Sequence, residues 1–369
     1  MEQYLPCRYW SEEDMKAQGV VLAPALVLEA TRGMWQRLRD GKDPGDKKVI
    51  DYAPNEQLTG LPKYAHFEEK YRREAHHSTL TATSDHMLVK KLLNALPANL
   101  ELGLQRSTST ITATDRYTGR PIGFLEGTQI SHARTAVYVS KILELFFSED
   151  TGINVFIFGA GPVVGWIVRF LAHLETLEPG KFGSVLVKST GPSADRLVQE
   201  LKADLGRLPI ASTTTKDLLA EADLVVTVTG ASVNRSSINS SDEALFELAD
   251  LKSDAATTSL GIETYSDEYL WEVLESGTPV VDHIILVGTR GVDCLPRFFA
   301  KQGMDFLKEA GAHGVLNMFE LNPGQKRDGP IHMEAVGMPI LDAYVTEHVF
   351  HKLAEAQGLK VPLFKDCGF

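Results

Sequence analysis

A mostly parallel α/β sheet joined to a second, mixed α/β domain is what this sequence predicts, and three features carry the prediction. An apolar run of strand length ends in a glycine-rich turn at Ile153–Gly165 (INVFIFGAGPVVG). Segments of strand and helix character then alternate through Ser184–Ser189 (SVLVKS), Asp195–Leu205 and Leu224–Thr229 (LVVTVT). Ahead of them, Ser107–Ala113 (STSTITA) alternates at strand period and is rich in β-branched residues. Repeated strand–helix units imply a parallel sheet covered on both faces, whereas alternation implies a half-buried antiparallel sheet.

The turn is the most informative element. Gly159, Gly161 and Gly165 follow the apolar run directly, with Pro162 and Val163 opening the next segment. A ligand approaches backbone only where side chains are absent, and the first amides of a helix lack intrahelical partners and attract a pyrophosphate. A proline at a helix start costs nothing, because its missing amide would be unpaired there anyway. Trp166, Ile167, Phe170, Leu171 and Leu174 recur at helical spacing, and a second strand follows. The unit therefore reads as a Rossmann-type dinucleotide-binding domain, with NADP or NAD as cofactor. The plainer alternative is a turn whose glycines only let the helix pack closely on the sheet.

The second strand normally ends on an acidic residue when the ribose hydroxyls are free. Here Lys188, Ser189 and Thr190 occupy that end, followed by Asp195 and Arg196. A carboxylate would repel a 2′-phosphate, while Lys188 and Arg196 would attract it, so the charges favour NADP. The alternatives are that both cations are solvated, or that Asp195 turns into the ribose site. Thr229, at the end of LVVTVT, is a further cofactor-side candidate.

The remaining elements fall in order. The segment up to Arg37 reads as one or two helices, with Ser11–Glu13 as a first turn and Leu22–Gln36 as the continuation. Short strands and loops are expected over Leu38–Tyr71, which carries Lys42, Lys47 and Lys48. Asp115–Arg120 is a tight turn and Pro121–Glu126 its return strand; Ser131–Phe147 is a helix. Ser240 and Glu243 suit a capping box, and Pro279–Val287 reads as a strand. Leu341, Val345, Val349 and Leu353 share one face of a final amphipathic helix ending at Gly358. The expected organisation is a substrate and dimerisation domain over 1–130, the nucleotide domain over 131–325, and a segment over 326–369 returning to the first.

Composition bounds the partners. A net charge of −12 argues against a general nucleic-acid binder. Three scattered cysteines form neither a disulfide framework nor a paired metal motif, so reduced thiols and no catalytic metal are expected. The start of the chain lacks the basic-then-apolar pattern of a signal peptide, and no apolar run reaches membrane-spanning length. A cytoplasmic protein with no membrane partner is the resulting expectation.

Four blocks, taken together in order, resemble the ornithine cyclodeaminase/mu-crystallin family: KKLLNALPAN, TGRPIGFLEGTQISHART, the nucleotide turn, and GMPILD opening the final helix. Within that family, GLQRSTSTI, TGRPIGFLEG and ISHARTA are most similar to the branch that makes 2,3-diaminopropionate. The resemblance implies a homodimer acting on an amino-acid or imino-acid substrate. The reaction would be nicotinamide-dependent oxidation or reduction at a C–N bond, through an imine. It further implies that Lys91 is catalytic and also binds substrate, with Lys90 as the alternative register, and that Arg134 grips the substrate carboxylate. The Lys47–Lys48 pair could replace another family carboxylate-binding arginine, with no register fixed between the two. Glu263 falls where the family has an acid–base aspartate; a helix-start carboxylate is its plainer reading. Alternative activities are an amino-acid cyclodeaminase, an imine reductase, or a nucleotide-dependent binding protein of mu-crystallin type.

Overall fold

The computed structural model describes residues 3–51, 76–96, 99–100, 103–229, 245–261 and 265–364. Glu263, the Ser240–Glu243 capping box and much of the expected strand-and-loop region before Tyr71 lie outside them. The described residues divide into two compact units. One runs up to Arg134 and resumes at Met338; the other spans Thr135 to Gly337.

The first unit opens with β1 (Tyr9–Trp10), α1 (Glu12–Ala17) and α2 (Pro24–Arg39). Ser11 caps α1 by accepting from the Asp14 amide at 3.0 Å, while Asp14 returns the bond to Ser11. Then come β2 (Asp46–Asp51), β3 (His76–Thr83), β4 (Met87–Ala95), β5 (Ser107–Asp115) and β6 (Pro121–Glu126). They form a six-stranded sheet in the order β1-β6-β5-β4-β3-β2, antiparallel except where β1 joins β6. The turn between β5 and β6 is organised by Asp115, whose Oδ1 accepts from the amides of Tyr117 and Thr118.

Helix α3 (Thr128–Phe146) leads into the second unit, where β7 (Ile153–Phe158), α4 (Pro162–Leu177), β8 (Phe182–Lys188) and α5 (Ser193–Glu200) follow. The chain continues through β9 (Ile210–Thr213), β10 (Leu224–Thr227), β11 (Ala256–Ser259), α6 (Asp267–Ser276) and β12 (Thr278–Val281). Three helices, α7 (Ile284–Arg290), α8 (Cys294–Lys301) and α9 (Phe306–Glu309), precede β13 (Leu316–Asn317) and β14 (Ile331–Glu334). All eight strands pair in parallel, in the order β13-β12-β14-β11-β10-β7-β8-β9. The chain runs outward from β7 to β9, then returns to lay β10 on the other side of β7. That reversal is the switch point at which such sheets bind ligands, outside the carboxyl ends of the strands. The central strands β7 and β10 read as almost continuous apolar runs because both faces are covered, as Phe156, Val225 and Val226 illustrate.

Three expected elements change. The helix expected over Asp195–Leu205 is α5, which starts at Ser193 and stops at Glu200, where the chain passes into turns. The strand expected over Pro279–Val287 stops at Val281 and gives way to α7. The reason is Asp282, whose carboxylate accepts from the backbone amides of His283 at 2.9 Å and Gly337 at 2.8 Å, ending the ladder. The strand expected over Leu224–Thr229 likewise ends at Thr227, so Thr229 lies just beyond β10.

The chain returns to the first unit as α10 (Pro339–Ala356). The expected face of Leu341, Val345, Val349 and Leu353 is buried, but so is every residue from Pro339 to Thr346. The first half is therefore buried all round rather than amphipathic, because it packs against α2 on one side and β3, β4 and β5 on the other. Among the described residues, no helix is long and apolar enough to cross a membrane.

Candidate active site

Alternation along β4 puts the two neighbouring lysines on opposite faces. Lys90 is exposed, whereas Lys91 points into the unit and is fully buried. Its cross-strand neighbours are Leu80 on β3 and Ile111 on β5, both apolar. Beyond Leu80 the same row reaches Lys47 on β2. Directly opposed residues of an antiparallel pair share a face, so Lys47 stands on the face of Lys91, about 10 Å along the row. Lys48 lies on the opposite face and is exposed.

A buried ammonium needs partners, and two helices supply them. The Lys91 Nζ donates to Asp342 Oδ1 at 2.7 Å and to Ser131 Oγ at 3.1 Å. Ser131 and Arg134 lie one turn apart on α3. The Arg134 Nε sits 3.4 Å from the same Asp342 Oδ1, within ion-pair distance but without hydrogen-bond alignment. Among the described residues, Arg134 Nε and Asp342 Oδ2 are buried with no hydrogen-bond partner. One carboxylate thus stands between two buried cations, with donor and acceptor capacity left over.

The electrostatics follow from that count. Burial, reinforced by the nearby Arg134 charge and only partly offset by Asp342, lowers the Lys91 amine to about 7. The His132 imidazole is lowered to about 4, chiefly by burial and then by Lys91 and Arg134, so it is neutral at physiological pH. Its Nδ1 is also buried without a hydrogen-bond partner among the described residues.

Asp342 is held by the start of α10. The Ile340 amide donates to the Pro44 carbonyl at 2.9 Å, tying the helix to the segment before β2. The neighbouring Gly45 has φ +96°, and a Cβ there would fall 2.5 Å from the Thr81 carbonyl and 2.8 Å from the Pro339 Cβ. Only glycine permits this approach. A carboxylate in the first helical turn also suits the helix dipole.

In the second unit, the glycine turn sits at the switch point. Gly159 follows β7 with φ +116°, and a Cβ there would lie 2.5 Å from the Val228 carbonyl oxygen just beyond β10. The same Cβ would lie 3.6 Å from the Thr229 amide, which places Thr229 beside the turn. Gly161 is the N-cap of α4, Pro162 is in its first turn, and no side chain caps the helix. A Cβ on Gly161 would meet nothing within 4 Å, so the fold itself does not demand glycine there. At Gly165 a Cβ would make ordinary contact with Leu197 at 3.5 Å, so close helix packing does not account for the third glycine. Bare backbone at Gly161 and first-turn amides at Val163 without a side-chain cap fit a diphosphate.

At the end of β8, Lys188 is half-buried, while Thr190 and Arg196 are exposed. Ser189 Oγ organises the turn, donating to the Gly191 carbonyl at 2.6 Å and accepting from the Ala194 amide at 3.0 Å. Asp195 accepts from Ser212. Asp223 is structural: its Oδ2 accepts from the Asn154 amide at 2.8 Å, joining β7 to β10. Among the described residues, no group of three or more His, Cys, Asp or Glu side chains could hold a metal ion.

Sequence reasoning missed Asp342 and Ser131. Asp342 carried a signal, being the lone acid in the apolar run PILDAYV. Ser131 carried none.

A parallel sheet with this strand order and a glycine turn at its switch point defines a Rossmann-like nucleotide-binding fold, here accompanied by a second α/β unit. Residues 45–242, more than half of the 369-residue chain, match the ornithine cyclodeaminase/mu-crystallin family model, and the chain belongs to that family. The match begins well before the four blocks quoted above and ends before the final helix. A Delta(1)-pyrroline-2-carboxylate reductase of Bacillus thuringiensis subsp. konkukian is 23% identical over 142 residues. That stretch is 38% of this chain and 42% of the relative's own length. Among solved structures, the Delta(1)-pyrroline-2-carboxylate reductase of Thermococcus litoralis, in complex with NADH and L-proline, is similar at TM-score 0.71 and 18% identity. The similarity covers 95% of this chain and 98% of that one. The iminosuccinate reductase of Paracoccus denitrificans, in complex with NAD+, is similar at TM-score 0.69 and 18% identity, covering 95% and 97%.

Proposed function

We propose that this protein is a nicotinamide-dependent oxidoreductase acting on the C–N bond of an amino or imino acid through an imine. The observation that carries the reading is the buried pair of cations, Lys91 and Arg134, sharing one carboxylate oxygen. Unsatisfied buried donor capacity on a guanidinium is what an α-carboxylate would complete. The glycine turn of the second unit, with Gly159, Gly161 and the first amides of α4, would hold the dinucleotide, which would supply hydride chemistry at the substrate α-carbon.

The protein's own groups would do the rest. Arg134 grips the substrate carboxylate and so orients the α-carbon, with Lys47 on the same sheet face as an auxiliary cation. Lys91, titrating near neutrality, gives or receives a proton. Glu263 manages the proton lost or gained at nitrogen as amine and imine interconvert. Water adding to the imine releases a keto acid, whereas an internal amine closes a ring. Similarity to proteins named Delta(1)-pyrroline-2-carboxylate reductase and iminosuccinate reductase supports the reductive direction. The wording of GLQRSTSTI, TGRPIGFLEG and ISHARTA supports the finer alternative, an N-substituted amino acid yielding 2,3-diaminopropionate and a 2-keto acid. NADP is favoured over NAD by Lys188 and Arg196, with Asp195 already occupied by Ser212.

Reduced-nicotinamide absorbance tests the reading. NAD and NADP are each paired with amino acids, N-carboxyalkyl amino acids and cyclic imines, and products are identified by mass spectrometry. Substrate-dependent turnover with an imine-derived product is expected. Nucleotide binding without turnover across the panel would replace this reading with a mu-crystallin-type binding role. The homodimer belongs to the same proposal; light scattering that shows only monomer removes it.

A further inference from the structure

Asp342 comes from the last helix, yet its Oδ1 is the shared point of contact for two cations that come from a strand and a helix far earlier in the chain. Lys91 has Leu80 and Ile111 beside it on the sheet, Ser131, His132 and Arg134 opposite on α3, and Asp342 on α10. Of these, Asp342 is the single anion. We propose that Asp342 is the positioning residue of the site: it fixes the Lys91 amine against Ser131 and divides its charge between Lys91 and Arg134. Neutralising Arg134 with a ligand carboxylate therefore hands Asp342 to Lys91 and loads that amine with a proton from solvent.

The physical basis is a competition of opposite sign. Arg134 disfavours the Lys91 ammonium and Asp342 favours it, both acting across a dry, low-dielectric contact. Removing either partner must move Lys91 in opposite directions. A substrate carboxylate on Arg134 cancels the unfavourable member of the pair. Substrate arrival and proton loading then become one event, which is what imine reduction needs. This consequence rests on the proposed amino-acid or imino-acid reaction, but the charge coupling itself does not.

The test uses the full chain without ligand. Thermal unfolding is followed from pH 5 to pH 10 for the unsubstituted protein, Lys91→Met, Asp342→Asn and Arg134→Gln. A lysine whose folded pKa lies below its unfolded value binds fewer protons folded than unfolded between the two. Stability attributable to Lys91 therefore rises with pH from about 7 towards 10.5. Lys91→Met should abolish that rise and so assign it. Asp342→Asn should move its onset downward by about one pH unit, and Arg134→Gln, which mimics neutralisation by a bound carboxylate, should move it upward by about as much. Should Asp342→Asn fail to fold, Arg134→Gln and the charge-retaining Asp342→Glu, expected to keep the onset, still decide the matter. An onset that neither Asp342→Asn nor Arg134→Gln moves, or that both move the same way, overturns the proposal. Failure of the oxidoreductase reading shows instead in the nicotinamide screen and leaves this result intact.

Discussion

The carbonyl oxygen of Val228 lies only 2.5 Å from where a Cβ on Gly159 would stand. The first strand of the parallel sheet and the strand that reverses its order thus meet backbone to backbone at the head of α4. The contact explains why the first glycine of the turn is structural, whereas the second, Gly161, is open.

The two glycines should separate in experiment. Gly159→Ala forces alanine into a left-handed backbone and against a carbonyl, and should cost about 1–3 kcal/mol of stability. Gly161→Ala, at φ −88°, should leave the melting temperature unchanged and weaken nucleotide binding several-fold. Thermal melts and fluorescence titration with NADPH and NADH make the comparison. Equal effects at both positions would contradict this division of labour.

Arg134→Lys keeps the charge and loses the planar fork that holds both oxygens of a carboxylate. The expected result is a KM for the amino or imino acid raised about tenfold, equivalent to about 1.4 kcal/mol, with nucleotide affinity unchanged. Steady-state kinetics beside nucleotide titration tests it. An unaltered KM would remove Arg134 from substrate binding.

For Glu263, the expectation comes from the sequence alone. Glu263→Gln should abolish turnover while retaining nucleotide binding, because the amide cannot accept or return the proton at nitrogen. Unchanged turnover would end its proposed role.

Nucleotide preference should reside at the end of β8. Arg196→Ala should lower NADPH affinity about tenfold and leave NADH affinity within about twofold, as expected when one charge contact to the 2′-phosphate is lost. Parallel losses for both nucleotides would mean that Arg196 does not read the phosphate.

Much of this fold was legible in the sequence where local pattern and burial agree. Ile153–Phe158 and Pro121–Glu126 were both readable to the residue, since each is an apolar or alternating run closed by turn residues. Pro279–Val287 was not, because Asp282 ends the strand through bonds to an amide 55 residues away, which no window contains. The site divides in the same way. Lys91 was named by resemblance, but that it is buried and Lys90 exposed follows only from the pairing of β4 with both neighbours. Asp342 was visible as a lone acid in an apolar run, yet its partner lies 251 residues earlier.

The return of the last helix to the first unit has a consequence for the order of events on the ribosome. Lys91 emerges early, but the only anion beside it among the described residues emerges with α10. Burying that amine before Asp342 is available would leave a cation without its counterion, at a cost of several kcal/mol. The unit spanning Thr135 to Gly337 contains its whole parallel sheet. The second unit in the sequence should therefore be the first to fold during synthesis. In ribosome-stalled chains in which a flexible linker after Gly337 clears the exit tunnel, protease should spare this unit and digest the one made before it; the reverse pattern would refute that order.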